Sequence, residues 1–368
     1  MTTKANSSKE NIEAIDWIEH IRSRPGMYLG SMNNRGFVGM LKYILSEIIL
    51  NAKPDFIVIE LHGQSRGELR FENIKNTVND SLGVALKKAG RVFYEMQALN
   101  ALSSHFQIRF FDSKGNKVLK QCFEKGKTID GSIKNIELSC DIIEIEFSLD
   151  REIWKNEFEW NENYIDHEIR DYAYLHKRVK FEVRYKIDNE QCNVIYHFKN
   201  GLKDRLDIEK LNGLGGSYFQ IFFEEKINDF AIEAAFAFKE YSVDEAFLKS
   251  YVNDSYTYEN GTHVDGLLKG LIRGIIKYFQ KNKLLDGLEI SEDEIKEDLI
   301  AAIHVKIKEP VFCGSVKNKL ANPEIVEPIA NYIAKLFFEK MMEDETSAKK
   351  LTKKIEQIRW VAKRKNSR

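Results

Sequence analysis

The chain is poor in several features that mark whole classes of protein. Its 368 residues include four cysteines, Cys122, Cys140, Cys192 and Cys313, which are widely separated and form no C-x-x-C pair. This spacing predicts neither a disulfide framework nor a zinc site, and it fits a reducing cytoplasm. Only five prolines occur, and no segment is of low complexity, so we expect little disorder beyond the two ends.

Long apolar runs and a strong overall charge are also missing. No apolar stretch approaches the ~20 residues of a membrane span, and Met1–Lys9 contains no hydrophobic signal core. We therefore expect a cytoplasmic protein with no membrane partner. The net charge of −1 gives no global field for nucleic acid. The 43% hydrophobic content is ample for two buried cores.

Charge is nevertheless uneven along the chain, because its last twenty residues are basic and hold a single acid, Glu356. Such a tail has two interpretations, a solvated helix end or a contact with nucleic acid or a protein partner. The candidate contact residues for DNA or a partner are Lys349, Lys350, Lys353, Lys354, Arg359, Lys363 and Arg364.

Hydrophobic periodicity predicts two successive groups of helices and strands. In the first group we expect helices at about 9–22, 37–51, 84–103 and 164–175, and strands at 56–61, 67–71, 106–111, 116–122, 142–147, 179–185 and 194–198. In the second we expect strands at 218–223, 230–236 and 301–307, and helices at 264–280 and 325–342. Strands grouped with helices on one face predict an α+β fold. The restart of the pattern predicts two domains, 1–205 and 206–368.

Two motifs lie far apart in this pattern. Arg22–Ser31 reads R-S-R-P-G-M-Y-L-G-S, and Asn260–Gly266 reads N-G-T-H-V-D-G. The first resembles the N-terminal motif of the ATPase region of DNA gyrase B and its topoisomerase IV relatives. The second resembles the G-G-T-H-x-x-G that opens a helix in their transducer domain. Two such motifs in the same order are hard to obtain by chance.

Shorter matches extend the resemblance over both domains of that ATPase fragment. They are N-A-L-S at 100–103, D-R-E-I-W at 150–154, H-F-K-N-G at 197–201 and V-K-N-K-L at 316–320. The resemblance implies a GHKL (Bergerat-type) α/β sandwich followed by a transducer domain of the ribosomal protein S5 domain 2-like fold. It also implies an exchanging N-terminal arm, residues 1–20, with Trp17 as its dimer anchor. No sign of a DNA-cleaving domain follows.

The same resemblance locates a nucleotide site whose residues differ from those of the family. The family's ATPase uses a Glu on its first long helix as general base and an Asn four residues later to hold Mg²⁺. An ungapped alignment places Tyr43 and Glu47 at these positions. A phenol is a poor base at neutral pH because its ordinary pKa is about 10. A competing register keeps the pair as Glu47 and Asn51, but it requires an inserted helical turn.

The remaining nucleotide elements differ as well. Where the family has D-x-G-x-G at the adenine, this chain has Glu72 as the acid, with Ile74 and Asn76 in place of the glycines. Their side chains would occupy the space of the base. The glycine-rich lid, which presents backbone N–H groups to phosphates, keeps only Gly90. Lys317 matches the lysine that senses the γ-phosphate.

Several nucleotide elements therefore differ while scaffold motifs persist, which predicts a pseudo-ATPase without catalytic residues, metal or cofactor. We expect a non-catalytic gyrase B-like clamp or adaptor that forms a homodimer and binds duplex DNA or a protein partner. One alternative is a nucleotide-gated dimerisation switch, in which ATP with Mg²⁺ is held by Glu47, Asn51, Glu72, Gly90 and Lys317, with Glu47 as the base. Another is a regulator that heterodimerises with one of the subunits of a topoisomerase.

Overall fold

The computed structural model describes most of the chain as two compact units. The described residues are 16–75, 94–112, 114–130, 140–155, 158–187, 190–212, 216–240, 247–284, 290–314 and 317–366. The first unit comprises Met1–Ala173 and Arg178–His197, and the second comprises Tyr174–Lys177 and Phe198–Arg368. Helices and sheets occur together in both, which confirms the predicted α+β class. Within the described ranges, no helix is long and apolar enough to cross a membrane.

The first unit is built on one mixed sheet with helices. Its helices are α1 (Trp17–Ser23), α2 (Pro25–Leu29), α3 (Asn34–Ala52), α4 (Tyr94–Ala101), α5 (Arg151–Trp154) and α6 (Glu162–Ala173). Its strands are β1 (Phe56–His62), β2 (Arg66–Glu72), β3 (Ser103–Phe111), β4 (Lys117–Glu124), β5 (Lys127–Asp130), β6 (Ile142–Leu149), β7 (Lys180–Ile187) and β8 (Glu190–Tyr196). The eight strands lie in the order β5-β4-β3-β6-β2-β1-β7-β8. Strands β1 and β7 run parallel, whereas β1 and β2 form an antiparallel hairpin.

The pleat gives this sheet one apolar face, and the helices pack on it. Leu69 and Phe71 of β2 are fully buried. Helix α3 packs on the same face, because the ring of its Phe37 lies 5.9 Å from that of Phe147 in β6. Phe147 stands opposite Gly67 of β2 in the register, so it shares the face of Leu69 and Phe71.

The other face of the sheet is charged. Glu60, Glu68 and Glu146 are direct cross-strand neighbours in one row across β1, β2 and β6. Arg70 forms an ion pair with Glu144 in the next row. Burial raises the pKa of Glu68, and the nearby charge of Glu144 raises it further. Carboxylates directly opposite one another in a sheet repel, so the ionised form of Glu68 opposes folding at neutral pH, whereas Glu60 is paired with Lys186 and Arg184.

Arg22, from the first sequence motif, joins α1 to the rest of the unit. Its Nη2 lies 2.6 Å from Asp150 Oδ2, and its Nη1 donates to the Ala101 carbonyl at 2.7 Å. Asp150 is 3% exposed and also caps α5 by accepting from the Glu152 N–H. Burial alone would raise the pKa of Asp150, but the hydrogen bond and charge of Arg22 hold it below the ordinary value.

The second unit is a smaller sheet with helices on both faces. Its helices are α7 (Leu202–Asn212), α8 (Thr262–Lys281), α9 (Glu292–Lys296), a 3-10 turn (Pro323–Ile325), α10 (Val326–Glu343) and α11 (Glu345–Asn366). Its strands are β9 (Ser217–Ile227), β10 (Phe230–Lys239), β11 (Phe247–Val252), β12 (Ser255–Tyr256) and β13 (Leu299–Lys306). The strand order is β12-β11-β13-β10-β9.

Glycines at four-residue spacing let α8 approach α10 closely. A Cβ added at Gly266 would lie 2.9 Å from the Ile329 Cβ, and one at Gly270 would lie 2.7 Å from the Ile333 Cβ. Real Cβ atoms do not come this near. The backbone of α8 therefore packs directly against these β-branched side chains, which are fully buried.

Several predicted helices differ from the structure or fall outside the described residues. Helix α7 was missed, because strands were expected directly after Asn200–Gly201, and the predicted boundary at residue 205 falls inside this helix. Its Leu202 and Leu206 are buried at helical spacing, so the signal was present. The helix expected at 84–103 is described from Tyr94 onward, since residues 84–93 lie outside the described residues. It ends at Ala101, because Ser103 already begins β3. The helix expected at 9–22 is described from Trp17 onward.

Candidate functional site

Helix α3 places the candidate base and metal residues on one stripe. Tyr43, Glu47 and Asn51 follow one another at four-residue intervals, and all three are half-buried. The Asn51 Nδ2 donates to the Glu47 carbonyl at 2.8 Å and approaches Glu47 Oε2 at 3.4 Å. Both alignment registers therefore use the same side of the helix, and they differ by one turn.

The chain that follows β2 closes over the C-terminal end of this stripe. Lys75 donates its backbone N–H to the last carbonyl of α3, at Ala52, over 3.1 Å, and Ile74 donates to the Asp141 carbonyl at 3.2 Å. The Ile74 side chain is 9% exposed. The predicted position of the first adenine-site glycine is thus filled by a buried branched side chain.

Side-chain contacts with Asp55 hold residues 73–75 in place. The Asn73 Nδ2 donates to Asp55 Oδ1 at 2.7 Å, and Lys75 Nζ lies 3.2 Å from Asp55 Oδ2. The hydrogen bond from Asn73, together with Lys75, lowers the pKa of Asp55. Asn73 takes a φ of +57°, a left-handed conformation that asparagine tolerates better than most residues. Residues 73–75 are therefore anchored on the start of β1 as well as on α3.

Glu72, the predicted adenine acid, does not join the α3 stripe. It follows the inward-facing Phe71, so strand alternation turns its side chain to the charged face of the sheet. There it forms an ion pair with Arg70, its neighbour on the same face. The sheet therefore lies between Glu72 and the helical side that carries Tyr43 and Glu47.

Other predicted site residues lie elsewhere in the chain. Gly90 and the lid around it lie outside the described residues, as do Asn76 and residues 1–15 of the predicted arm. Trp17 begins α1 and is half-buried. Its predicted role as a dimer anchor stays a prediction.

Lys317 is exposed on a loop of the second unit that is fastened to the start of α8. Leu320 donates its N–H to the Asn260 carbonyl at 3.1 Å, and Thr262 donates to the Leu320 carbonyl at 3.1 Å. Gly261 has a φ of +129°, and a Cβ there would lie 2.2 Å from the Leu320 oxygen. The N-G-T-H motif thus needs its glycine for this close approach.

His263 of that motif is a buried structural residue. It is fully buried, and its Nε2 lies 3.3 Å from Thr257 Oγ1. Burial lowers its pKa to about 3, so the ring is neutral at physiological pH. Among the described residues, no group of three His, Cys, Asp or Glu side chains is placed to hold a metal ion.

The basic residues of α11 are largely engaged within the second unit. Lys350 pairs with Glu240 at 2.6 Å, Lys354 with Asp298 at 3.4 Å, Arg359 with Glu294 at 2.7 Å, and Lys349 with Glu345 at 3.4 Å. Of the other predicted contact residues, Lys353 is exposed, and the side chains of Lys363 and Arg364 are outside the description. Ala348, Leu351 and Ile355 are buried. The described part of this segment is therefore a helix with one packed face and one solvated face, and its predicted contacts with DNA or a partner stay predictions.

A cavity of about 700 Å³ in the first unit was not predicted. Trp154, Phe158 and Trp160 line it together with Asn33 and Asn34 at the beginning of α3. The lining does not include the α3 stripe that carries the candidate base and metal residues. The aromatic residues at 154–160 could have signalled this cluster in the sequence.

Comparison with known proteins identifies the class to which this fold belongs. Similar solved structures include the 43K ATPase domain of Thermus thermophilus gyrase B in complex with an aminocoumarin, with a TM-score of 0.76 and 19% identity over 95% of this chain and 97% of that one. The topoisomerase IV ATP binding domain of Francisella tularensis has a TM-score of 0.71 and 22% identity over 93% and 96%. The chain thus has the fold of these ATPase domains.

Sequence relatives give the same result. The family model for DNA gyrase B matches residues 162–368, more than half of the chain, and the chain therefore belongs to the DNA gyrase B family. It is 29% identical to the DNA topoisomerase 4 B-subunit of Borreliella burgdorferi over 95% of this chain and 58% of that protein. It is 26% identical to the DNA gyrase B-subunit of Spiroplasma citri over 95% and 59%. The chain spans little more than half the length of these relatives.

Proposed function

We propose that this chain is a non-catalytic member of the gyrase B family, a pseudo-ATPase that works as a cytoplasmic clamp or adaptor through homodimerisation and partner binding. The observation that carries the proposal is the closure of residues 73–75 over the end of α3. Buried Ile74 and two backbone hydrogen bonds occupy the position where the family motif has a glycine beside the adenine.

The residues that would perform hydrolysis support the same conclusion. In the ungapped register the base is Tyr43, whose phenol does not take a proton from water at neutral pH. Glu72 faces the charged side of the sheet and pairs with Arg70. ATP with Mg²⁺ would therefore find no acid for its adenine at this position.

The ion pairs of α11 bear on the choice of partner. Four of its predicted contact residues already face carboxylates of the second unit or of the helix itself. These carboxylates would compete with a phosphate for the four cations. We therefore favour a protein partner, including a second copy of the chain or one of the subunits of a topoisomerase, over duplex DNA bound through α11.

A second candidate function is a nucleotide-gated dimerisation switch. The contact between Asn51 and Glu47 favours it, because an acid and an amide four residues apart on an open helical stripe are the pair that a base and a Mg²⁺ ligand require. In this case Glu47 is the base, and Tyr43 plays no part in the chemistry.

Matched variants separate the two functions. ATP hydrolysis would be measured for the wild-type chain, Tyr43→Phe and Glu47→Gln, with dimerisation followed by sedimentation velocity. The pseudo-ATPase predicts no hydrolysis in any of the three and a dimer that ignores a non-hydrolysable ATP analogue. Hydrolysis that survives Tyr43→Phe and disappears in Glu47→Gln would overturn the proposal and establish the switch.

A further inference from the structure

The chain passes between the two units at three places, after Ala173, after Lys177 and after His197. All three covalent connections between the two units therefore begin or end in two stretches of the second unit. They are Tyr174–Lys177, which enters and leaves this unit within four residues, and the stretch that begins at Phe198. Both stretches lie against the same part of the second unit.

Aromatic stacking joins the beginnings of the two stretches. The rings of Tyr174 and Phe198 are stacked, with their centroids 3.8 Å apart and 17° between their planes. Tyr174 is 1% exposed, and the guanidinium of Arg205 on α7 lies 5.1 Å from its ring centroid. Leu175 is buried with Leu202 in the same apolar cluster. These contacts bury the point at which the chain enters the unit.

The buried carboxylate of Glu233 contacts both stretches near their other ends. Glu233, within β10, is 7% exposed. It accepts a hydrogen bond from the Leu202 N–H at the start of α7 over 2.9 Å, and its Oε2 lies 3.0 Å from Lys177 Nζ. Burial raises the pKa of Glu233, while the Leu202 N–H and Lys177 oppose that rise. One side chain thus holds the last residue of one stretch and the first helical residue of the other.

Gly201 shows how tightly this arrangement is packed. Its φ is +58°, and an added Cβ would lie 2.4 Å from Lys177 Cε and 2.6 Å from Glu233 Oε1. Only glycine leaves room for the lysine to reach the carboxylate across the turn.

Lys177 also has a second acceptor. Its Nζ lies 2.8 Å from Glu224 Oε2, a carboxylate that is 65% exposed. The ammonium can therefore give up the buried Glu233 and keep a charged partner at the surface. In this structure Lys177 contacts both carboxylates at once, so loss of the buried contact would give a second arrangement of the same lysine.

We propose that Tyr174, Lys177, Phe198, Leu202 and Glu233 form a junction lock, in which Glu233 is the positioning residue. While Lys177 contacts Glu233, both connecting stretches are fixed on the sheet of the second unit. When Lys177 contacts Glu224 alone, the end of the first stretch is released from β10, while Tyr174 and Leu175 stay packed. The lock is a conformational device of the second unit, and it consists of contacts within this unit alone.

The test compares Glu233→Gln with the matched control Glu224→Gln in the full chain. Trypsin cleavage after Lys177 and Arg178 reports release of the first stretch, and hydrogen exchange at the Leu202 amide reports release of the second. We expect Glu233→Gln to accelerate cleavage by about tenfold or more, the size that corresponds to losing one hydrogen bond to a charged group. Exchange at Leu202 should rise less, because the glutamine amide oxygen can still accept from this N–H. Glu224→Gln should remain within about twofold of the wild type, because the buried contact persists.

Cleavage and exchange unchanged in Glu233→Gln, or accelerated equally in both variants, would overturn the lock. If Glu233→Gln fails to fold, Lys177→Gln provides the same comparison through cleavage after Arg178. Circular dichroism and the unfolding temperature identify global loss of structure, which a local release does not require.

Discussion

Two buried histidines should make the second unit lose stability as the pH falls below about 6.5. Burial lowers the pKa of both His263 and His304 to about 3. In His304 the nearby charge of Lys306 adds to the effect of burial. The His304 Nε2 donates to the Asn253 carbonyl at 2.6 Å, so an acid proton would have to enter at the other ring nitrogen.

The sign and size follow from proton linkage. In the unfolded chain both rings take a proton near their ordinary pKa of 6.5, whereas in the native unit they stay neutral down to about 3. Their full contribution is present above 6.5, and it is lost as the pH falls between the two values. Each ring should cost about 1.4 kcal/mol per pH unit, or about 2 kcal/mol between pH 6.5 and 5.

The assay is urea unfolding of the second unit between pH 7.5 and 5, and hydrogen exchange in β10 and β13 monitors the unfolding. His304→Gln should lower stability at pH 7.5 and should remove about half of the pH-dependent loss. His167→Gln, whose parent side chain lies in the first unit and is 45% exposed, is a control for removal of a histidine outside the second unit and should keep the wild-type slope. Equal slopes for the wild type and His304→Gln would refute the reasoning.

Substitutions at three further positions test separate parts of the fold. Gly261→Ala should destabilise the second unit by about 3 kcal/mol in thermal unfolding, because a Cβ would meet the Leu320 oxygen at 2.2 Å and φ is +129°; a loss below about 1 kcal/mol would contradict this. Arg22→Ala should destabilise the first unit by about 3 kcal/mol, since it leaves the buried Asp150 carboxylate with only the more distant Lys125, at 3.8 Å, as a cationic partner. Arg22→Lys should recover part of the loss. Glu68→Gln should stabilise the first unit by about 0.5 kcal/mol at pH 7. Because the native pKa of Glu68 is raised, that gain should be lost as the pH falls from the native pKa to the ordinary value near 4.5. A gain that persists at pH 3 would count against repulsion at Glu68.

Local patterns predicted much of the fold. The apolar face of α3, the β1–β2 hairpin and the packing face of α8 each follow from spacing within a few residues, and the structure contains all three. The face of Glu72 was also available in the sequence, because Leu69 and Phe71 alternate with Arg70 and Glu72. The family motif predicts the position of Glu72 in the sequence, but it does not predict which face of the sheet the side chain occupies.

Contacts between distant positions could not be predicted in this way. The partners of the α11 cations, Glu240, Asp298 and Glu294, are remote in sequence and meet the helix only when the unit folds. The same holds for the closure of residues 73–75, which needs the Ala52 and Asp141 carbonyls together. A charge run or a missing glycine shows none of these partners in advance.

Calorimetric titration of the full chain with a non-hydrolysable ATP analogue and Mg²⁺ tests the central claim most directly. The pseudo-ATPase predicts no heat of binding and no thermal stabilisation at millimolar ligand. A dissociation constant below about 100 μM, or about −5.5 kcal/mol, would contradict it, and the Glu47–Asn51 pair would then be the nucleotide site.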